Sequence, residues 1–183
     1  MTFLEILMIA VSLAMDAAAV GLGVGTTEHA VSLRPKLRLA FHFGLFQFLM
    51  PLVGWVAGST IAPRIATFDD WVTFVLLAFV GAHMIRSGLS PHIVSYRKDP
   101  SRGASLVLLS VATSLDALAV GVSLALQRVA IWYPAAVIGV VTATISFAGL
   151  LVGNSLSETF GKRMEIVGGA ILILIGLRIL FLH

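Results

Sequence analysis

Six long apolar stretches, at roughly 6–25, 38–62, 71–88, 104–127, 130–153 and 164–182, leave this chain few ways to fold. A bilayer crossing takes about 20 predominantly apolar residues, and each stretch approaches or meets that length. Together they use up most of the 183 residues, and only 11% of the chain is Asp, Glu, Lys or Arg. An ordinary soluble domain carries about 25% charged residues. A soluble globular fold is therefore excluded, and no separate soluble catalytic domain fits between the stretches. No strand-like alternation competes with a helical reading. The expected class is an all-α integral membrane protein with six transmembrane helices. Cysteine is absent, which removes disulfides, zinc–thiolate sites and iron–sulfur clusters. The net charge of +3 is modest, and no basic stripe is interleaved with aromatics, so no nucleic-acid partner is expected. The expected surroundings are a lipid bilayer.

Lys and Arg in the connecting loops set the direction of such a chain. The loops after the first, third and fifth stretches hold Arg34, Lys36, Arg38, Arg86, Arg97, Lys98, Arg102, Lys162 and Arg163, whereas the opposite side holds Arg64, Arg128 and Arg178. This nine-to-three split places the richer loops in the cytoplasm and both termini outside. The residues before the first stretch, Met1 to Glu5, carry no Lys or Arg. A signal peptide needs a basic segment there, so the first stretch is expected to be a retained helix.

The chain also echoes itself. Ala14-Met15-Asp16-Ala17-Ala18-Ala19-Val20-Gly21 and Ser114-Leu115-Asp116-Ala117-Leu118-Ala119-Val120-Gly121 share Asp, Ala, Ala, Val and Gly at an offset of 100. One stretch later, Leu52-Val53-Gly54 matches Leu151-Val152-Gly153 at an offset of 99. These matches divide the chain into a first three-helix repeat, 1–88, a cytoplasmic linker, 89–103, and a second three-helix repeat, 104–183. With an odd number of crossings in each half, the second enters the membrane upside down. Many secondary transporters are built on this inverted plan, with the substrate near the midplane between the halves.

Asp16 is the eleventh residue of its stretch. At 1.5 Å per residue it lies about 15 Å into a hydrocarbon core about 30 Å thick. Asp116 lies at a similar depth in the fourth stretch. An ionised Asp there costs about 2.5–3.5 kcal/mol, so two unpaired ones cost roughly 5–7 kcal/mol. No Lys or Arg sits at that depth. Protonation or a bound cation is left to offset the cost. Two carboxylates neutralise one divalent ion, and hard oxygen donors without thiolate favour Mn²⁺, Mg²⁺ or Ca²⁺. Asp16 and Asp116 are the expected metal-binding pair.

Other polar residues are candidates for supporting the site or lining the ion path. Ser12 and Thr113 lie one turn from the aspartates, although a hydroxyl in an apolar helix commonly bonds back to its own backbone. Gln47 precedes Met50-Pro51, where the proline can free a carbonyl. Glu165 opens the sixth stretch, where the helix dipole alone would favour a carboxylate. His42 and His83 are read as interfacial or packing residues, and Met15 and Met50 as lipid-facing or packing residues. The small residues Ala17, Gly21 and Gly25, Ala117, Gly121 and Ala125, Gly54 and Gly58, and Gly149 and Gly153 recur every fourth position, a pattern that lets helices pack closely.

The chain resembles the MntP-type manganese efflux pumps of the broader lysine-exporter-like superfamily along nearly its whole length. The likeness rests on Ser12-Leu13-Ala14-Met15-Asp16-Ala17, Ala112-Thr113-Ser114-Leu115-Asp116-Ala117, Phe43-Gly44 with Pro51-Leu52-Val53-Gly54-Trp55, and Gly161-Lys162-Arg163-Met164-Glu165 with Gly168-Gly169. The resemblance implies six helices, a bacterial inner membrane, export of Mn²⁺ as a transported substrate with no cofactor, and a part in transport for Asp16 and Asp116. Gln47 stands where some members carry an acidic residue, so no third carboxylate is carried over to that position. No P-loop is present, so ATP hydrolysis by that route is not expected. Proton antiport is expected instead, with the two aspartates taking protons as the metal leaves. The alternatives are an exporter of another divalent metal or small solute, a structural membrane subunit, and an intramembrane aspartyl protease. Such proteases share Tyr-Asp and Gly-x-Gly-Asp motifs, whereas Ala-Met and Ser-Leu precede the aspartates here. The oligomeric state is not fixed by the sequence.

The cysteine-free chain makes the orientation directly testable. Arg102→Cys is expected to react with a membrane-impermeant maleimide only after the cytoplasmic face is opened, and Arg128→Cys in intact cells. The reverse pattern would invert the topology.

Overall fold

The computed structural model describes residues 1–25, 32–65, 99–153 and 158–182, with scattered positions between 71 and 89. The rest of the third apolar stretch, with His83, and most of the linker lie outside the described residues. The elements are α1 (Phe3–Gly25), α2 (Leu33–Ile65), α3 (Gly103–Ala112), α4 (Leu115–Leu126), α5 (Trp132–Val152) and α6 (Glu158–Leu182). Among the described residues there is no strand. α1, the Leu33–Thr60 part of α2, and α5 are each long and apolar enough to cross a bilayer, and α3 with α4 forms a fourth such unit bent by 42°. The apolar part of α6, Ala170–Phe181, is shorter. Large apolar side chains such as Leu4, Phe41, Val56, Leu108, Val140 and Leu174 are exposed along these helices, as a surface solvated by lipid requires.

The bend corrects the expectation of one uninterrupted helix over 104–127. Its cause is local. The Thr113 hydroxyl donates to the Leu109 and Ser110 carbonyls at 3.1 and 3.2 Å, and the Ser114 hydroxyl donates to the Val111 carbonyl at 3.1 Å. The Ser114 N–H also reaches Val111, three residues back, at 3.1 Å. Adjacent hydroxyl residues that compete for the same carbonyls tighten and bend a helix. At the corresponding place α1 has Leu13-Ala14 and runs on as one helix.

α1 packs chiefly on α5 and then on α6, and α2 packs on α4 and α5. Glycines set the spacing. A Cβ on Gly21 would meet the Ser146 carbonyl at 3.0 Å, and one on Gly25 would meet the Leu150 carbonyl at 2.9 Å. On the other pair, Gly121 lies against Pro51, Gly54 against the Leu118 carbonyl, and Gly58 against Val122 and Ala125. Gly44 and Gly139 face each other where α2 crosses α5, the Gly44 Cβ position lying 2.7 Å from the Gly139 carbonyl. Residue numbers rise together along α1 and α5 and along α2 and α4, so each pair runs parallel. Gly44 meets Ala143 while Gly139 meets Phe48, so α2 and α5 are antiparallel.

These contacts correspond one to one. Gly21 on Ser146 matches Gly121 on Pro51, Ala18 under Gly149 matches Leu118 under Gly54, and Leu22 with Gly25 under Gly153 matches Val122 with Ala125 under Gly58. The offset is 100 for α1 against α3–α4, and 95 for α2 against α5 (139 minus 44, 149 minus 54, 153 minus 58). The Leu-Val-Gly echo at an offset of 99 is therefore one helical turn out of register with the packing. Gly54 corresponds to Gly149, and Gly153 to Gly58.

Side chains tie the ends. Arg178 near the end of α6 pairs with Glu5 at the start of α1. The Trp55 indole donates to the Val129 carbonyl at 2.9 Å in the α4–α5 turn, and Arg38 donates to the Ser101 carbonyl at 3.2 Å ahead of α3.

The seam is sensitive to added volume. Gly54→Val is expected to lower stability by about 1–3 kcal/mol or more, because backbone must move to admit it. Gly23→Ala meets nothing within 4 Å and is expected to unfold as wild type. Thermal unfolding in detergent micelles checks both.

Candidate functional site

The break between α3 and α4 puts a helix start in mid-span, and Asp116 lies in the first turn of α4, where the dipole favours negative charge. One carboxylate oxygen, Oδ1, accepts the Ala117 N–H at 2.9 Å. The other, Oδ2, is shielded from solvent and has no hydrogen-bond partner. In an unbroken helix the Ala117 N–H would serve the carbonyl four residues back, that of Thr113. That carbonyl instead accepts a hydrogen bond from Gln47 Nε2 at 3.1 Å.

The same Gln47 nitrogen also donates to the Leu13 carbonyl at 3.3 Å. Leu13 and Thr113 stand at the offset of 100 that separates the two aspartates, three residues before each. The amide thus joins the turn that leads to Asp16 with the turn that leads to Asp116. Leu13 and Met15 of α1 share a buried cluster with Ala117 and Val120 of α4. Gln47 is fully buried, and its Oε1 has no partner. Pro51, four residues on, has no N–H to offer the Gln47 main-chain carbonyl, although α2 continues through it.

At the offset of 95, Gln47 corresponds to Thr142 and Pro51 to Ser146. Both hydroxyl residues are fully buried, and neither hydroxyl has a hydrogen-bond partner. Among the described residues, the buried side-chain polar atoms without a partner are Gln47 Oε1, Asp116 Oδ2, Thr142 Oγ1 and Ser146 Oγ. The packing register puts Gln47 and Thr142 in one layer, each three residues past the Gly44–Gly139 crossing on its helix, with Ser146 one turn beyond Thr142 and against α1. Asp116 lies one turn before Gly121, which touches Pro51, and Asp16 lies one turn before Gly21, which touches Ser146. Asp16 is half-buried on α1.

The remaining candidates fall elsewhere or are engaged locally. The Ser12 hydroxyl donates to the Met8 carbonyl at 2.8 Å, and Thr113 donates within its own helix. His42 Nδ1 lies 2.8 Å from the Arg38 carbonyl, more than one turn from Gln47. Glu165 is on α6, and its side chain lies outside the described residues. Thr142 and Ser146 are the unpartnered hydroxyl residues that the sequence reading missed. Their signal was two hydroxyls four apart in a strongly apolar span, and the spacing Gly44, Gly54, Gly58 repeated as Gly139, Gly149, Gly153.

Among the described residues no three His, Cys, Asp or Glu side chains are placed to hold a metal ion together. Besides the Asp116 Oδ2 carboxylate oxygen, the buried side-chain atoms without a partner are, among the described residues, uncharged oxygens. Such a donor set suits a hard, oxygen-preferring divalent ion.

Comparison with known proteins bears on which ion. A family model described as "Putative manganese efflux pump" matches residues 30–180. Relatives of the same description, with the name MntP, span nearly the full chain. The protein of Syntrophotalea carbinolica is 48% identical over 176 residues, covering 96% of this chain and 94% of its own. That of Nitratidesulfovibrio vulgaris strain DP4 is 48% identical over 186 residues, covering 100% and 92%, and that of Geobacter sp. strain M21 is 48% identical over 183 residues, covering 100% and 98%. No solved structure matches the chain.

The bridge made by Gln47 can be measured apart from any transport. Gln47→Leu keeps the bulk and removes both hydrogen bonds, and it is expected to cost about 1–2 kcal/mol. Denaturant unfolding in mixed micelles reads this directly. Wild-type stability in the variant would mean that the two bonds hold nothing.

Proposed function

The chain belongs to the MntP family of manganese efflux pumps, and on that premise we propose that it exports Mn²⁺ from the cytoplasm, holding the ion near the bilayer midplane between Asp16 and Asp116. The observation that carries this reading is Asp116 Oδ2, a buried carboxylate oxygen at a helix break with no partner. A divalent cation between the two aspartates removes the roughly 5–7 kcal/mol cost of two ionised carboxylates in the membrane core. Family membership sets aside the protease reading, since these are transporters and not enzymes.

The architecture proposed for this task is six crossings in two inverted three-helix repeats, with 71–88 as the third crossing and 89–103 as a cytoplasmic linker. The matched contacts of α1 with α5 and α2 with α4 support it. So does direction: α1 and α4, the helices that carry the aspartates, run opposite ways. The chain lies in the bacterial inner membrane, in keeping with its family, and both termini lie outside, a direction that the charge split among the loops favours.

Transport is driven by proton antiport. Asp16 and Asp116 release Mn²⁺ and take protons, so the site returns uncharged through a medium that penalises charge. Gln47 holds the two aspartate-bearing turns in register. Ser12 and Thr113 shape those turns through their own backbone bonds, and Glu165 attracts the cation at the start of α6.

The test is Mn²⁺ flux in proteoliposomes. Asp16→Asn and Asp116→Asn are each expected to reduce flux at least tenfold while the protein stays folded. Wild-type flux is expected to acidify the compartment that the metal leaves, an imposed inward proton gradient should accelerate efflux, and an uncoupler should abolish that acceleration. Flux that ignores the gradient would sink the antiport, and normal flux in both variants would sink the site.

A further inference from the structure

Hydroxyls buried in apolar helices nearly always bond back to a carbonyl three or four residues earlier. In this protein Ser12, Ser110, Thr113, Ser114 and Ser123 do so, and even the exposed Thr144 on α5 donates to Val140 at 2.8 Å. Thr142 and Ser146, on either side of Thr144, do not. Both are fully buried. Two neighbouring hydroxyls on one helix have turned away from the partner that the helix itself offers.

Their position says what they face. Gly139, Thr142, Ser146 and Gly149 recur at three- and four-residue spacing and form one face of α5. That face touches α2 at Gly139 and α1 at Ser146 and Gly149. Thr142 lies between those contacts, at the place on α5 that Gln47 holds on α2. Gln47 Oε1 is likewise buried and unpartnered. Uncharged amide and hydroxyl oxygens are thus buried without partners on α2 and α5, Gln47 and Thr142 beside the crossing of the two helices and Ser146 one turn on, against α1.

We infer that Thr142 and Ser146, with Gln47 Oε1, form the uncharged half of the cation site and determine which divalent ion it accepts. The inference rests on the reading of Asp16 and Asp116 as the charged half. Two carboxylates balance a divalent charge but leave an octahedral shell short of donors. Mn²⁺ takes six oxygen ligands readily, whereas Zn²⁺ is content with four and prefers nitrogen or sulfur. Uncharged oxygens from α2 and α5 fill the shell without adding charge to be neutralised in the return step. Their loss should thus cost Mn²⁺ more than Zn²⁺.

The experiment measures Mn²⁺ flux, and its inhibition by Zn²⁺, in proteoliposomes holding wild type, Thr142→Val, Ser146→Ala, the double variant, Thr142→Ser and Asp116→Asn. Calorimetric Mn²⁺ titration of the same proteins in detergent gives binding apart from turnover. Thr142→Val is close in shape to Thr, and its unfolding in micelles reports on folding. The double variant is expected to bind Mn²⁺ about tenfold more weakly, the scale of one interaction with a charged group. Its preference for Mn²⁺ over Zn²⁺ should fall by a similar factor, and Thr142→Ser, which keeps the hydroxyl, should retain both. Unchanged binding and preference in the double variant, with Asp116→Asn inactive, would overturn this inference and leave the aspartate site standing. Lower flux with unchanged binding and preference would also overturn it, and would make the hydroxyls part of a water path. Wild type that binds no Mn²⁺ would overturn the aspartate reading and this inference together.

Discussion

Backbone lying on backbone is the constraint on which this protein depends. α1 on α5 and α2 on α4 approach until α-carbons meet carbonyls, a distance open only to residues without side chains at the contact. Lipid gives helices no hydrophobic reason to associate, so close packing and polar contacts must supply the attraction. The glycines supply the first, and they also fix the register. Gly21 on Ser146 and Gly121 against Pro51 set the level within each parallel pair, and Gly44 facing Gly139 sets one pair against the other. Gln47 and Thr142, each three residues past its crossing glycine, share one layer as a consequence of the seam.

The buried polar groups are only partly satisfied. Gln47 uses its amide nitrogen on two carbonyls, and Asp116 uses one oxygen on a backbone N–H. These bonds fix the groups without exhausting them. The unused atoms are all oxygens, so together they present electron pairs. The break between α3 and α4 contributes by freeing the Thr113 carbonyl and by starting a new helix beneath Asp116. Irregular backbone at membrane depth is tolerated where it is buried in protein, and here Gln47 covers it.

Much of this was legible in the sequence. The six described helices lie over five of the apolar stretches, because lipid imposes length and composition on anything that crosses it. The two aspartates were legible because carboxylates are costly there. The bend at Thr113–Ser114 was not, because two hydroxyls in an apolar run are as compatible with a straight helix. The register of the second echo was misjudged by a turn, because Leu-Val-Gly is a cheap match in such a chain. The contact-bearing glycines at 44, 54 and 58 and at 139, 149 and 153 carried the true spacing. Thr142 and Ser146 escaped for the same reason: what they face depends on partner helices whose register had to be known first.

Gln47 stands at a point that only one side chain can hold. Its nitrogen reaches two carbonyls of equal rank, one from each half. A second amide reaching from position 142 would need the same pair of acceptors and the same volume. The shorter threonine found there makes no such claim. A duplicated frame can repeat its walls, but the centre line between the copies has a single seat. Two identical halves would have set two amides in contest for it, so divergence at this pair of positions follows from geometry itself. The same arithmetic governs any symmetric pair of chains whose dyad passes through a buried hydrogen bond.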